Sequence, residues 1–153
     1  MLFRSVEALI EQIPDSSLTA SSSFGGGHGP HRSRLLAVND EDGKGGWIAP
    51  GDLNQWIQAD FLSAKTIFKV ATRGKNDEDN WVTRYQLKYS LSINEADFEY
   101  VTSTGGGVMT FNGNSDRNSV VENEFAIISA RVLRLYPIEW RIPIALRWEV
   151  YGS

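Results

Sequence analysis

Apolar and polar side chains alternate with a period of two in several stretches of this chain. Ile57, Ala59 and Phe61 are interleaved with Gln58 and Asp60, and Tyr85, Leu87 and Tyr89 with Gln86 and Lys88. Ile144, Leu146, Trp148 and Val150 are interleaved with Ala145, Arg147, Glu149 and Tyr151. A strand sends successive side chains to opposite faces, so each run predicts a strand with one side on a core and the other mostly polar. Thr66–Thr72, Phe98–Val101, Val120–Phe125 and Ala130–Tyr136 add four further strands. Helical periodicity is nearly absent: only Ser5–Gln12 has room for a turn or two before Pro14 stops it. The intervening stretches GGGHGP (25–30), NDEDGKGG (39–46), RGKNDEDN (73–80), Gly105–Gly107 and NGNSDRN (112–118) carry turn chemistry. Many short strands joined by such loops predict one antiparallel all-β domain, a sandwich or a barrel.

With 153 residues, 41% of them hydrophobic and 22% charged, the chain can bury a core of ordinary size and is not a disordered composition. It has no Cys, which removes disulfides, thiolate metal sites and Cys nucleophiles, and leans toward a reducing compartment. A net charge of −4 argues against nucleic acid as a ligand. No apolar run reaches the roughly 18 residues a membrane helix needs. Arg4, Glu7 and Glu11 interrupt the apolar N-terminus, so no signal peptide is expected there.

Candidate chemistry lies in the loops. Asn-Asp-Glu-Asp occurs at 39–42 and again at 76–79, each time near a glycine. Such oxygen-rich loops suit a hard cation like Ca²⁺ or simply keep a surface soluble. His28 and His31 flank Gly29-Pro30 and could share a metal, donate to a ligand or be plain solvated residues. Trp148 belongs to the core, and Trp56 and Trp140 are read as structural. Trp47 and Trp81 abut the acidic loops, where each either stacks on a sugar ring or plugs the fold. There is no Gly-x-Ser-x-Gly, phosphate-binding glycine loop or His-Glu-x-x-His, so no enzyme is expected.

The order of several segments resembles the discoidin domain family, also called coagulation factor V/VIII type C domains. Carrying the resemblance are Ile13-Pro14-Asp15-Ser16, Leu18–Ser23, Arg32-Ser33-Arg34-Leu35, Trp47, Gln55–Asp60 and Thr72-Arg73-Gly74. Trp81–Tyr85, Gly113–Asn118 and the closing Ile144–Gly152 continue it. Trp-Val-Thr-x-Tyr and Leu-Arg-Trp-Glu look most like slime-mould members. The resemblance implies a discoidin domain at 13–153, with residues 1–12 as an extension packed on it. It implies an eight-stranded antiparallel jelly-roll β-sandwich, galactose-binding-domain-like, whose ligand loops project at one end. Vertebrate members close the domain with a disulfide, and Ser153 stands where the last Cys would be. Packing and strand pairing must then replace about 2–5 kcal/mol.

Carried over by position, the ligand rim comprises the loop Phe24–His31, the stretch Trp47–Asp52 and the loop Arg73–Asn80. Its first tip, all glycine and histidine, offers little to insert into lipid, and Asp77-Glu78-Asp79 would repel an anionic surface. Phe24, His28, His31, Trp47, Asp52, Arg73, Asp77, Asp79 and Trp81 are therefore expected to bind a glycan or cell-surface glycoprotein. The expected function is a non-enzymatic, lectin-like adhesion and recognition module, extracellular or on a cell surface. It would work as a multimer or as part of a longer chain, since linked weak sites gain avidity. The second reading is a module for a basic protein partner, and the third is binding of anionic phospholipid. A structural Ca²⁺, which the resemblance implies for many carbohydrate-binding members, would use Asn39, Asp40 and Glu149, unless Glu149 pairs with an Arg instead.

Overall fold

A computed structural model describes residues 5–153. Nine strands occur among the described residues. They are β1 (Glu7–Ala8), β2 (Leu18–Ala20), β3 (Trp47–Ala49), β4 (Ile57–Arg73), β5 (Trp81–Ser90), β6 (Glu99–Tyr100), β7 (Phe111–Asn112), β8 (Val121–Arg141) and β9 (Ile144–Gly152). They are hydrogen-bonded in the order β1-β9-β4-β8-β5-β6, with β2 on β4, β3 on β9 and β7 on β5, and every strand pair is antiparallel.

The all-β jelly-roll sandwich is as expected, but the strands are divided differently. The four segments near 57–61, 66–72, 120–125 and 130–136 are two long strands. β4 and β8 pair from Ile57↔Leu135 to Thr72↔Val121, with register shifts at Asp60/Lys65 and Ile67/Lys69. The ribbon bends there. Its first half pairs with β2 and β5, its second half with β9, so one two-stranded ribbon serves both layers. Leu62 adopts φ 69° at the bend, and the Asp60 carboxylate accepts its N–H at 2.8 Å. The two-residue and three-residue strands are too short to carry any period, and Ser5–Gln12 forms β1 and a 3-10 turn at Ile10–Gln12 rather than a helix.

Between the layers lie Trp47, Trp148, Tyr85, Ile57, Ile67, Leu87, Leu133, Leu135 and Ile144, all without exposed surface. Tyr85 stacks on Phe111, and Phe111 meets Phe125 edge-on, closing the far side of the core. Burying one Trp removes about 200 Å² from water, worth about 5 kcal/mol before entropy is charged. That offsets the missing disulfide. The two ends are also tied by pairing, Glu7 with Gly152 and Ala8 with Tyr151, while Ser153 and Thr66 exchange both backbone hydrogen bonds.

One face of β9 departs from the alternation. Ala145, Arg147 and Glu149 were expected on a polar outer side, yet they are buried like the apolar positions between them. β9 lies inside its layer, between β4 on one edge and β1 and β3 on the other. Arg34 bridges to Trp148 along the strand edge, and on the outer face Arg147 meets backbone carbonyls of Gly74, Ala37 and Arg117 while Glu149 meets the N–H groups of Ile10 and Glu11.

Candidate functional site

The pairs Thr72↔Val121, Arg73↔Arg147 and Trp81↔Arg141 gather one end of β4, β5, β8 and β9 into a rim. The loops 74–80 and 113–120 leave the strands here. Between them runs an open groove of about 540 Å³ lined by Asp79, Trp81, Asp116, Arg117, Asn118 and Ser119. Trp81, the first residue of β5, is half-buried, and the Arg141 guanidinium lies 5.6 Å from its ring centre. Arg117 Nε donates to Asp79 Oδ1 at 2.8 Å, and both side chains remain about half exposed. Asp116 accepts from the Ser119 hydroxyl at 2.6 Å and from the N–H groups of Ser119 and Asn118 at 2.7 and 3.0 Å. These bonds hold its carboxyl below the usual range and keep it ionised. An indole face beside two carboxylates, a guanidinium, an amide and a hydroxyl suits a saccharide, whose C–H face packs on the ring while hydroxyls find polar partners.

The groove is held from beneath by arginines and amides. Arg147, only 1% exposed, donates to the carbonyls of Gly74 (2.7 Å), Ala37 (3.0 Å) and Arg117 (2.9 Å) and to Asn118 Oδ1 (2.6 Å). Burial, and then the nearby Arg73, lower its pKa to about 10, which still leaves it charged at neutral pH. Asn114, also buried, donates to the carbonyls of Thr72 and Ser119 and accepts from the Thr72 hydroxyl. Arg73 Nε and Nη1 reach the carbonyls of Asn118 and Leu35 at 2.9 and 3.1 Å. A guanidinium, with its five donors, suits such carbonyl clusters.

The expected site residues divide into several places. Asp79 and Trp81 share the groove. Arg73 and Asp77 brace the loop instead: Lys75 binds both Asp77 and Glu78, and Asn39 Nδ2 donates to Asp77. Burial alone would lower the Lys75 pKa, but its two carboxylate bonds raise it; Lys75 in turn lowers that of Asp77. Trp47 is a correction. It has no exposed surface, and its Nε1 donates to the Ser22 carbonyl, so it plugs the core and cannot stack on a sugar. Phe24, 56% exposed, meets His28 edge-on at 6.4 Å and forms a separate edge of the rim. Its exposure also corrects the expectation that the first tip has little to insert. Asp52 caps its own turn, accepting from Asn54 N and Gln55 Nε2. His31 lines a second cavity of about 540 Å³ with Arg34, Leu36, Glu149 and Tyr151, a lining that does not include His28. Of the groove residues, the sequence marks Asp116–Asn118 only as part of a turn and of the family resemblance and does not mark Ser119, because the approach of two loops distant in sequence leaves no local signal. Arg147 carries no signal in the sequence, because alternation places its face of β9 toward solvent.

The donor set expected for calcium is engaged elsewhere. Glu149 accepts the N–H groups of Ile10 and Val150 on Oε1 (2.6 and 2.9 Å) and of Glu11 on Oε2 (3.1 Å). Burial raises its pKa despite these three bonds. Its alternative partner was an Arg, but backbone donors take that role. Asn39 holds Gly45 N and Asp77, and Asp40 pairs with Arg32 at 3.0 Å. Among the described residues no three His, Cys, Asp or Glu side chains are grouped to hold a metal ion. As arranged, Asn39, Asp40 and Glu149 do not fit one.

Compared with known proteins, the chain is 34% identical to discoidin-2 of Dictyostelium discoideum over 143 residues, covering 89% of this chain and 53% of that protein. It is 38% identical to retinoschisin of Takifugu rubripes over 100 residues, covering 65% of this chain and 35% of that protein. The chain thus spans less than two thirds of the length of these relatives. The structure of discoidin II from D. discoideum superposes with a TM-score of 0.77 at 32% identity, covering 88% of this chain and 54% of that one. A chitosan-binding module from a Paenibacillus chitosanase/glucanase, solved with chitotriose, shares the fold with a TM-score of 0.63 at 18% identity, covering 88% and 95% of the two chains. The F5/8 type C domain model matches residues 17–150, and the chain belongs to that family.

Proposed function

We propose that this domain is a non-catalytic carbohydrate-binding module that seats a saccharide in the groove over Trp81. The observation carrying the reading is the groove itself: a half-buried indole with Asp79, Asp116, Arg117, Asn118 and Ser119 around it, on a backbone fixed from below. The discoidins to which the chain is similar, and the chitotriose complex of a module with the same fold, support it. Fixed polar groups around a half-buried ring bind a sugar without reorganising, which limits the entropy lost on binding. A role in adhesion or recognition outside the cell follows from this reading. The acidic loop favours a basic protein partner less than its composition suggests, because Lys75 and Arg117 offset two of the three charges of Asp77, Glu78 and Asp79.

A second reading, anionic lipid, gains from one observation. Phe24, Leu53 and Ile142 are 56%, 67% and 75% exposed, and Ile142 lies against the 74–80 loop through the bond from Asn80 to its carbonyl. The ionised Asp116 nearby opposes it. A glycan array followed by calorimetric titration, run beside sedimentation with phosphatidylserine vesicles, separates the two. Saccharide binding lost in Trp81→Ala, with no vesicle capture, is the expected outcome. Vesicle capture abolished by Phe24→Ser, with a blank array, overturns it.

A further inference from the structure

The loop expected to hold calcium is organised around a cation of its own. Arg32 ends the 3-10 turn at Pro30–Arg32 and reaches into the 38–44 loop, with its side chain 13% exposed. Its Nε donates to the Lys44 carbonyl at 2.8 Å, and its Nη2 donates to the Val38 carbonyl at 2.8 Å and meets Asp40 Oδ1 at 3.0 Å. Two backbone carbonyls and a loop carboxylate converging on one positive centre are the donors a calcium site would recruit.

We propose that the Arg32 guanidinium takes the place of a structural calcium ion, making the rim of this domain independent of metal. The packing leaves little room for both. Gly43 lies so close that a Cβ there would stand 3.1 Å from Arg32 Nε and 2.9 Å from Gly27 Cα. Lys44 N donates to the Gly27 carbonyl at 2.8 Å, clamping the 38–44 loop on the 25–32 loop. Calcium requires six to eight oxygens at about 2.3–2.6 Å. The third element of the expected set, Glu149, faces three backbone N–H groups whose partial charges repel a cation. Arg32 therefore also positions the rim. The loop it clamps carries Asn39, which holds Gly45 and Asp77, and Asn39 N and Gly45 O in turn bind Asn76. The inference does not depend on which ligand the groove takes.

The test is thermal melting of the purified protein in EDTA and in millimolar CaCl₂, with calorimetric titration of Ca²⁺ alone. Wild type melts at one temperature in both and gives no binding heat. Arg32→Gln vacates the oxygen cluster; it melts several degrees lower in EDTA and regains part of the loss in calcium. Arg32→Lys keeps a cation among the oxygens without the planar fork. It melts slightly below wild type and stays indifferent to calcium, which keeps the proposal testable if Arg32→Gln does not fold. One calcium bound to wild type with a rise in melting temperature overturns the proposal. So does an Arg32→Gln protein as stable as wild type or unresponsive to calcium, or an Arg32→Lys protein stabilised by calcium.

Discussion

Nε of Arg147 donates to the carbonyl oxygen of Gly74 across 2.7 Å, and the same guanidinium holds Ala37, Arg117 and Asn118. One side chain from the closing strand thus joins three loops that are far apart in sequence. Arg34 does the same for the N-terminal turn, donating to the carbonyls of Ile10 and Ile13 and to Asp15. Irregular backbone must satisfy its carbonyls somewhere, and in a chain without cysteine these arginines both satisfy and cross-link them.

Replacing Arg147 is therefore expected to cost more than an ordinary substitution. Arg147→Lys keeps the charge but cannot reach four acceptors, leaving buried carbonyls unpaired at about 1–3 kcal/mol each. A loss of about 3 kcal/mol, or about 6–12 °C in melting temperature for a domain this size, is expected by calorimetry. Saccharide affinity should fall with it, since Arg117 and Asn118 line the groove. A melting temperature within a degree of wild type would contradict the role given to Arg147.

Trp81 should separate binding from stability. Its ring is only half-buried, and its neighbours in the groove are polar, so Trp81→Ala is expected to lower affinity at least tenfold while moving the melting temperature by a few degrees at most. Trp47→Ala makes the contrast. That ring is wholly inside the core, and truncating it should cost about 3–5 kcal/mol and unfold much of the population. Equal losses of stability in the two variants would show that Trp81 is a second plug.

The two tryptophans also mark how far the sequence could be read. Both sit beside an acidic loop, and nothing local distinguishes the ring that faces solvent from the one that faces the core. Strands long enough to alternate, such as β5, were legible because burial on one face leaves a period-two trace. β9 keeps its trace but hides its partners, since Arg147 and Glu149 look solvated until the loops at Ala37, Gly74 and Arg117 and the turn at Ile10–Gln12 close over them. The rim was legible only as a set of loops. Which loops meet depends on the bend in β4 and β8, and the break in alternation at Leu62–Ala64 was read as the end of a strand.

Gly45 fixes the spacing of two rim loops. A Cβ there would overlap Asn76 Oδ1 and stand 2.9 Å from Val38 Cα, while Asn76 Oδ1 already accepts the Asn39 N–H. Gly45→Ala should force the 38–45 and 74–80 loops apart, costing about 1–3 kcal/mol by overpacking and weakening saccharide binding several-fold. Calorimetry and titration of the same preparation read both effects. If both values match wild type, the loops do not pack in this way.

Asp60 is expected to contribute to the acid limb of stability. Its carboxylate bonds Arg131 through both oxygens, at 2.9 and 3.0 Å, and caps Leu62 N at the bend of β4. Burial alone would raise its pKa, but Arg131 and the Leu62 N–H outweigh burial and hold it below the ordinary 3.8. The folded protein therefore binds this proton less readily than the unfolded chain. The stability Asp60 brings is complete above pH 3.8 and is lost as the pH falls through the lower folded value. Asp60→Asn lacks the titration. Wild type should melt above Asp60→Asn at pH 6, and the gap should close progressively below pH 3.8. A gap that stays constant down to pH 2 would mean that the ion pair with Arg131 adds nothing, and that the bend is held by the Leu62 cap alone.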